Sequence, residues 1–130
     1  DGVLPRRWSW SSPGEEALNG LYNQAFCLLY PSSCEGFGVP VLEAMRAGCP
    51  VLTSRGGSLA EVGGEAVELL ETLDAAGMRQ GLLRLQDASL WSERRMAGLE
   101  QAQRFSWKRC CQEHLELYRD LSAGGGAVEG

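Results

Sequence analysis

The stretch Ala25 to Glu43, AFCLLYPSSCEGFGVPVLE, decides how the chain is laid out. It opens with the unbroken apolar run AFCLLY, closed by Pro31. A continuous run of this length predicts a strand buried on both faces of a parallel sheet, because a strand with one wet face would alternate. Gly36 and Gly38 then mark a loop, and Pro40 is suited to open a helix, where its fixed φ fits and its missing N–H is not needed. Strand, loop and helix make half of a βαβ unit, so a second parallel strand should follow.

That strand is expected in PVLTS, residues 50–54, after a helix that carries Leu42, Ala44 and Met45 and stops at Gly48. Ser58 and Glu61 have the spacing of a capping box and predict a short helix ended by Gly63 and Gly64; AVELL, 66–70, reads as a third strand. Upstream, Ser12-Pro13-Gly14-Glu15 predicts a helix capped by Ser12 and running to Gln24, with DGVLPRRWSW before it as a short strand or loop. Downstream, Met78, Leu82 and Leu85 predict one amphipathic helix, and a second is expected over about 89–104. A last helix carries Trp107, Cys111, His114, Tyr118 and Leu121 as a single stripe, which must pack on something. The alternation predicts an α/β fold, a doubly wound Rossmann-like parallel sheet followed by C-terminal helices. The glycine-rich SAGGGAVEG, 122–130, is expected to be disordered.

The 130 residues, 44% of them hydrophobic, suffice for one domain with a real core. The net charge of −5 argues against a nucleic-acid or anionic-membrane partner, since either would require a basic patch. No apolar run is long enough to span a bilayer and no signal-peptide pattern is present, so the default compartment is cytoplasmic. The five cysteines lack C-x-x-C spacing or a histidine cluster, and neither a metal site nor a disulfide framework is expected. Cys27 and Cys110 read as small hydrophobes, Cys34 as a partly exposed loop residue, and His114, the only histidine, as a packed or half-exposed helix residue.

Ligands of open parallel sheets sit at the carboxyl ends of the strands, where the loop after AFCLLYP lies. Gly36 and Gly38 let backbone N–H groups approach a ligand, and the helix opening near Pro40 adds unpaired donors and a positive dipole end. Together they suit a phosphate or another anion. The flanking acids, Glu35 and Glu43, would repel a diphosphate, so they must serve something uncharged. Hydroxyls of a ribose or a hexose qualify, because a carboxylate accepts hydrogen bonds strongly. The blander alternative makes Glu43 a favourable acid in a helix first turn and Glu35 a solvated loop residue. A glycosidase using the two carboxylates as acid and base is a further rival, disfavoured because the anion-binding loop between them has no purpose in that chemistry.

The order of residues in LYNQAFCLLYPSSCEGFGVPVLEAMRAGCPVLTSRGGSLAEVGGEAVEL resembles the donor-binding segment of retaining GT-B glycosyltransferases of the family 4 type, the glycosyl transferases group 1. The likeness runs from a strand ending in Pro-Ser through Glu-Gly-Phe-Gly, Pro-x-x-Glu-Ala and Gly-x-Pro-Val, and includes Phe105-Ser106-Trp107 before the last helix. It implies that Glu35, as the catalytic residue, contacts donor-sugar hydroxyls near the reacting carbon, orienting the sugar and stabilising charge. It implies further that Gly36, Phe37, Gly38 and Val39 offer backbone amides to sugar and diphosphate, and that Glu43 holds the ribose hydroxyls. No cofactor is implied, the donor being a nucleotide-diphosphate sugar.

The chain departs from the family's pattern at Phe26, where an aspartate is common, and at Ala60, where proline is. The arginine and lysine that neutralise the leaving diphosphate come in this family from an earlier strand and loop; Lys108 lies in the last helix and Arg55 is a weak local substitute. The expectation is therefore residues 1–121 as a partial C-terminal nucleotide-sugar-binding domain, inactive alone, whose partners are the nucleotide sugar and a missing amino-terminal GT-B domain. The alternative is a non-catalytic nucleotide-sugar-binding or interaction module that pairs with a separate amino-terminal chain.

Overall fold

The computed structural model describes residues 9–124. Most of the DGVLPRRWSW segment and residues 125–130 of the expected tail lie outside them.

Three parallel strands form the sheet: β1 (Leu28–Tyr30), β2 (Val51–Thr53) and β3 (Glu68–Leu69), in the order β1-β2-β3. Leu29 pairs with Leu52, and Thr53 with Leu69, so the three strands end at nearly one level. Among the described residues there are six α-helices: α1 (Glu15–Gln24), α2 (Val39–Arg46), α3 (Leu59–Gly63), α4 (Ala75–Arg84), α5 (Ala88–Ala102) and α6 (Trp107–Gly124). A single 3₁₀ turn, Gly64–Ala66, links α3 to β3.

Alternation along the strands sends side chains to two cores. On one face Leu28, Tyr30, Val51 and Leu69 join Val41, Ala44 and Met45 of α2, Leu59 and Val62 of α3, and Ala97 and Ala102 of α5. On the other, Leu29, Leu52 and Leu70 meet Met78 and Leu82 of α4, together with Leu85 and Leu90. Helices on both faces of a parallel sheet make the doubly wound α/β architecture expected of the C-terminal part of a GT-B fold.

Several local expectations need correction. The first helix begins at Glu15 with Gly14 before it, and Ser12 does not cap it. Only β2 is fully buried; β1 is half-buried, because among the described residues it has a neighbour on one side only. The third strand is short, since Ala66 closes a 3₁₀ turn before the chain extends. α4 is capped by Asp74, whose carboxylate accepts from the Gly77 N–H at 2.8 Å. Backbone and hydroxyl donors, the Gly77 N–H before the Thr72 hydroxyl, hold the Asp74 carboxyl below its ordinary range. Residues 122–124, assigned from composition to a disordered tail, continue α6.

One feature had no sequence signal. Glu68 is buried on β3 and takes an arginine on each carboxylate oxygen: Arg84 Nε at 2.6 Å and Arg94 Nε at 3.2 Å. Arg84 also donates to the Leu69 carbonyl and Arg94 to that of Glu65, so the edge of β3 is fastened to α4 and α5. Phe26, in place of the commoner aspartate, stacks on Trp91 with centroids 6.5 Å apart, and the Trp91 indole N–H donates to the Phe26 carbonyl. α6 stands apart: Trp107, Leu115, Leu117, Tyr118 and Leu121 are all exposed, Trp107 by 81%. His114, expected packed or half-exposed, is exposed as well, its Nδ1 2.7 Å from the Cys110 carbonyl oxygen one turn back.

Candidate functional site

The carboxyl ends of β1 and β2 converge on two stacked loops. The upper one, residues 31–38, joins β1 to α2; the lower, residues 54–58, joins β2 to α3. Their backbones touch. A Cβ on Gly56 would lie 2.2 Å from the Ser33 carbonyl oxygen, so only glycine permits the approach. The Ser54 hydroxyl donates to the Ser32 carbonyl. Ser58, expected as a helix cap, instead turns its hydroxyl to the Glu35 carbonyl at 3.1 Å, with its N–H on the same oxygen at 3.3 Å. A residue read as helix punctuation thus supports the loop above it.

Glu35 lies half-buried in the upper loop, where that loop rests on the lower one. Its Oε1 accepts from the Ser32 hydroxyl at 2.8 Å and from the Tyr30 hydroxyl at 2.9 Å. Both bonds favour the carboxylate, and they hold the Glu35 carboxyl below the ordinary glutamate range, Ser32 contributing most. The same contact raises the Tyr30 phenol. Glu35 is therefore an ionised acceptor with one oxygen anchored. Oε2 takes no hydrogen bond among the described residues and can accept from a ligand.

The chain then turns into α2 through Gly38, whose φ of 90° is left-handed. A Cβ there would also meet Leu59 Cδ2 at 2.6 Å, so the position requires glycine twice over. Among the described residues the N–H groups of Gly36, Phe37, Gly38 and Val39 meet no backbone acceptor. These four donors lie at the positive end of α2, in the arrangement that receives anions. Phe37 and Val39 are exposed, and the Phe37 ring meets Phe105 edge-on at 5.9 Å.

Glu43 lies one turn into α2, exposed, on the helix that Gly38 begins. It is the fifth residue of that helix, not one of its first turn, so the bland explanation as a dipole-favoured first-turn acid does not hold. Its Oε2 lies 3.4 Å from the hydroxyl of Tyr22 on α1. Burial, with the Glu43 charge beside it, pushes the Tyr22 phenol up to about 12, so Tyr22 remains a donor toward the acid at neutral pH.

All six positions named from the sequence, Glu35 to Val39 and Glu43, thus belong to one loop and the helix it opens. Sequence reasoning missed Tyr22, Tyr30 and Ser32, and read Ser58 only as a helix cap. Ser32 and Tyr30 were within reach of local reasoning, as hydroxyls three and five residues from an acid. Tyr22 and Ser58, 21 and 23 positions away from the groups they touch, were not. Arg55 is exposed and borders a separate cleft of about 900 Å³ beside β3, where Arg84 and Arg94 are already paired with Glu68. That cleft contains none of the six residues.

Comparison with known proteins agrees with the fold. The family model described as Glycosyl transferases group 1 matches residues 7–96. The O-antigen chain mannosyltransferase B of Escherichia coli is 42% identical over 109 residues, which are 82% of this chain and 28% of that protein. The D-inositol 3-phosphate glycosyltransferase of Saccharomonospora viridis is 35% identical over 124 residues, 89% of this chain and 28% of that one. The structure of sucrose-phosphate synthase from Thermosynechococcus elongatus superposes with a TM-score of 0.74 at 31% identity, over 84% of this chain and 28% of that one. The chain thus spans about a quarter of the length of these relatives. With the family match covering most of its residues and the fold agreeing, the chain belongs to the glycosyl transferases group 1 family.

Proposed function

We propose that this chain forms part of the donor site of a retaining, family 4 type glycosyltransferase, which moves a sugar from a nucleotide-diphosphate sugar to an acceptor. Glu35 accepts hydrogen bonds from the donor sugar near its reacting carbon. The amides of Gly36, Phe37, Gly38 and Val39 face the sugar and the diphosphate, and Glu43 holds the ribose hydroxyls. The anomeric carbon breaks its bond to the diphosphate oxygen and bonds the acceptor oxygen on the same face, and the acceptor's proton passes to the leaving phosphate. The cations come from an earlier strand and loop of the same domain and the acceptor site from an amino-terminal GT-B domain, so these residues alone bind the donor without turning it over.

One observation carries the reading: Glu35 is anchored through a single oxygen by two hydroxyl donors, which keeps it ionised, next to four amides that meet no backbone acceptor among the described residues. An ionised, half-free carboxylate is an acceptor for hydroxyls. It is the wrong protonation state for a glycosidase's general acid, whose carboxyl must be raised.

Calorimetric titration of the chain with GDP-mannose, UDP-glucose and ADP-glucose tests it. Saturable binding of one of them is expected, weakened at least about tenfold by Glu43→Ala through the lost charged acceptor. Unchanged affinity in that variant overturns the ribose assignment, and no binding of any nucleotide sugar overturns the donor-site reading.

A further inference from the structure

The donor loop has glycine on both sides of Phe37, so its own backbone does little to fix where its amides point. From below, Ser58 holds the Glu35 carbonyl. From the side the loop meets Phe105, 68 residues away in sequence and edge-on to Phe37 with an interplanar angle of 84°. Phe105 belongs to the joint between α5 and α6. Its N–H donates to the Ala102 carbonyl at 3.3 Å, continuing the end of α5, and the next residue, Ser106, caps α6 by accepting from the Arg109 N–H at 3.1 Å. The joint is held in turn by α2, whose Arg46 donates through Nη2 to the Phe105 carbonyl at 2.6 Å. Phe105 is thus clamped at its backbone by the helix the donor loop opens, while its ring forms a wall against the one side chain between the loop glycines.

We propose that Phe105 is a positioning residue for the donor site: through its edge-to-face contact it holds Phe37, and with it the amides of residues 36–39, in the orientation that receives the donor. It acts through Phe37 and does not touch the ligand. The inference rests on the donor-site reading above and adds a residue outside the loop and its helix. Aromatic pairs of this geometry favour one ring placement over its alternatives, and losing the pair should weaken binding roughly three- to tenfold.

The test uses the whole chain with two readouts. Backbone ¹⁵N relaxation at Gly36 and Gly38, without ligand, reports the order of the loop; calorimetry with the nucleotide sugar that binds best reports affinity. Phe105→Ala should lower the order parameters and weaken binding, Phe105→Tyr should restore both, and adding Phe105→Ala to Phe37→Ala should cost nothing further. Phe105→Leu, which keeps bulk but not the ring edge, replaces the alanine variant if that one does not fold, and should show the same loss. Unchanged order parameters in the alanine or leucine variant, or a tyrosine variant as impaired as alanine, overturns the inference. A wild-type chain that binds no nucleotide sugar sinks the donor-site reading, while the relaxation data still decide whether Phe105 holds the loop.

Discussion

α2 and α6 are both amphipathic, and the chain treats them in opposite ways. α2 has eight residues, and Val41, Ala44 and Met45 are buried to within 1% of completely, under β2, α3 and α5. α6 has 18 residues and a longer apolar stripe, yet Trp107, Leu117, Tyr118 and Leu121 all face outward. The difference lies in what comes next in sequence. α2 is the crossover of a βαβ unit, and the right-handed connection returns it onto the sheet it came from. α6 follows the last helix of the layer and has no such constraint; the ion pair it makes among the described residues, Arg109–Glu113 at 2.8 Å, lies within the helix itself. An apolar stripe tells that a helix has a face to cover, while chain connectivity decides whether the covering is local.

The largest test of this contrast is Met45→Ala, which empties the middle of the main core and should destabilise the chain by about 3 kcal/mol in chemical denaturation. A loss under about 1 kcal/mol would mean that α2 is not the keystone of that core. Glu68→Gln comes next. It leaves Arg84 and Arg94 facing each other across β3, and because both arginines keep some solvent the cost should be about 2 kcal/mol. At the other end, Leu117→Ala should change stability by no more than about 0.5 kcal/mol, since little area is lost from an already exposed side chain. A cost above about 1 kcal/mol there would show that α6 is docked in solution and would erase the contrast.

The pH dependence of binding is the smallest effect and the most specific to the site. The folded-state carboxyl of Glu35 is lowered, so its ionised form persists as pH falls to the ordinary value of 4.5 and is lost only below it. Nucleotide-sugar binding should follow the same course. Combining Tyr30→Phe with Ser32→Ala removes the two donors and should move the loss to higher pH; an unmoved profile would show that Glu35 does not carry it.

Much of this was legible in the residues. AFCLLYP and PVLTS gave parallel strands because continuous apolar runs bounded by proline have few other uses, and the glycines around Phe37 marked the loop. Errors came where local chemistry had a competing use. Ser58 has capping-box spacing, but its hydroxyl donates to the Glu35 carbonyl and makes no side-chain cap to α3. Ser12 could cap, but α1 begins at Glu15 with Gly14 at the cap position and no side-chain cap bond. The Glu68–Arg84–Arg94 cluster spans 16 and 26 positions, and no periodicity announces such a pairing.

The sequence by itself determined the alternation of strand and helix, the place of the loop at the end of a parallel strand, and the types of group the loop presents. Those follow from apolar period, from glycine and proline, and from the chemistry of carboxylates and amides, all of which are local. Only the tertiary structure decided which oxygen of Glu35 is anchored, that Tyr22 faces Glu43, that the lower loop supports the upper, and that Phe105 closes the side of Phe37. Each of these joins residues distant along the chain or depends on where an atom points. Such contacts are fixed by packing, and packing is a property of the whole fold.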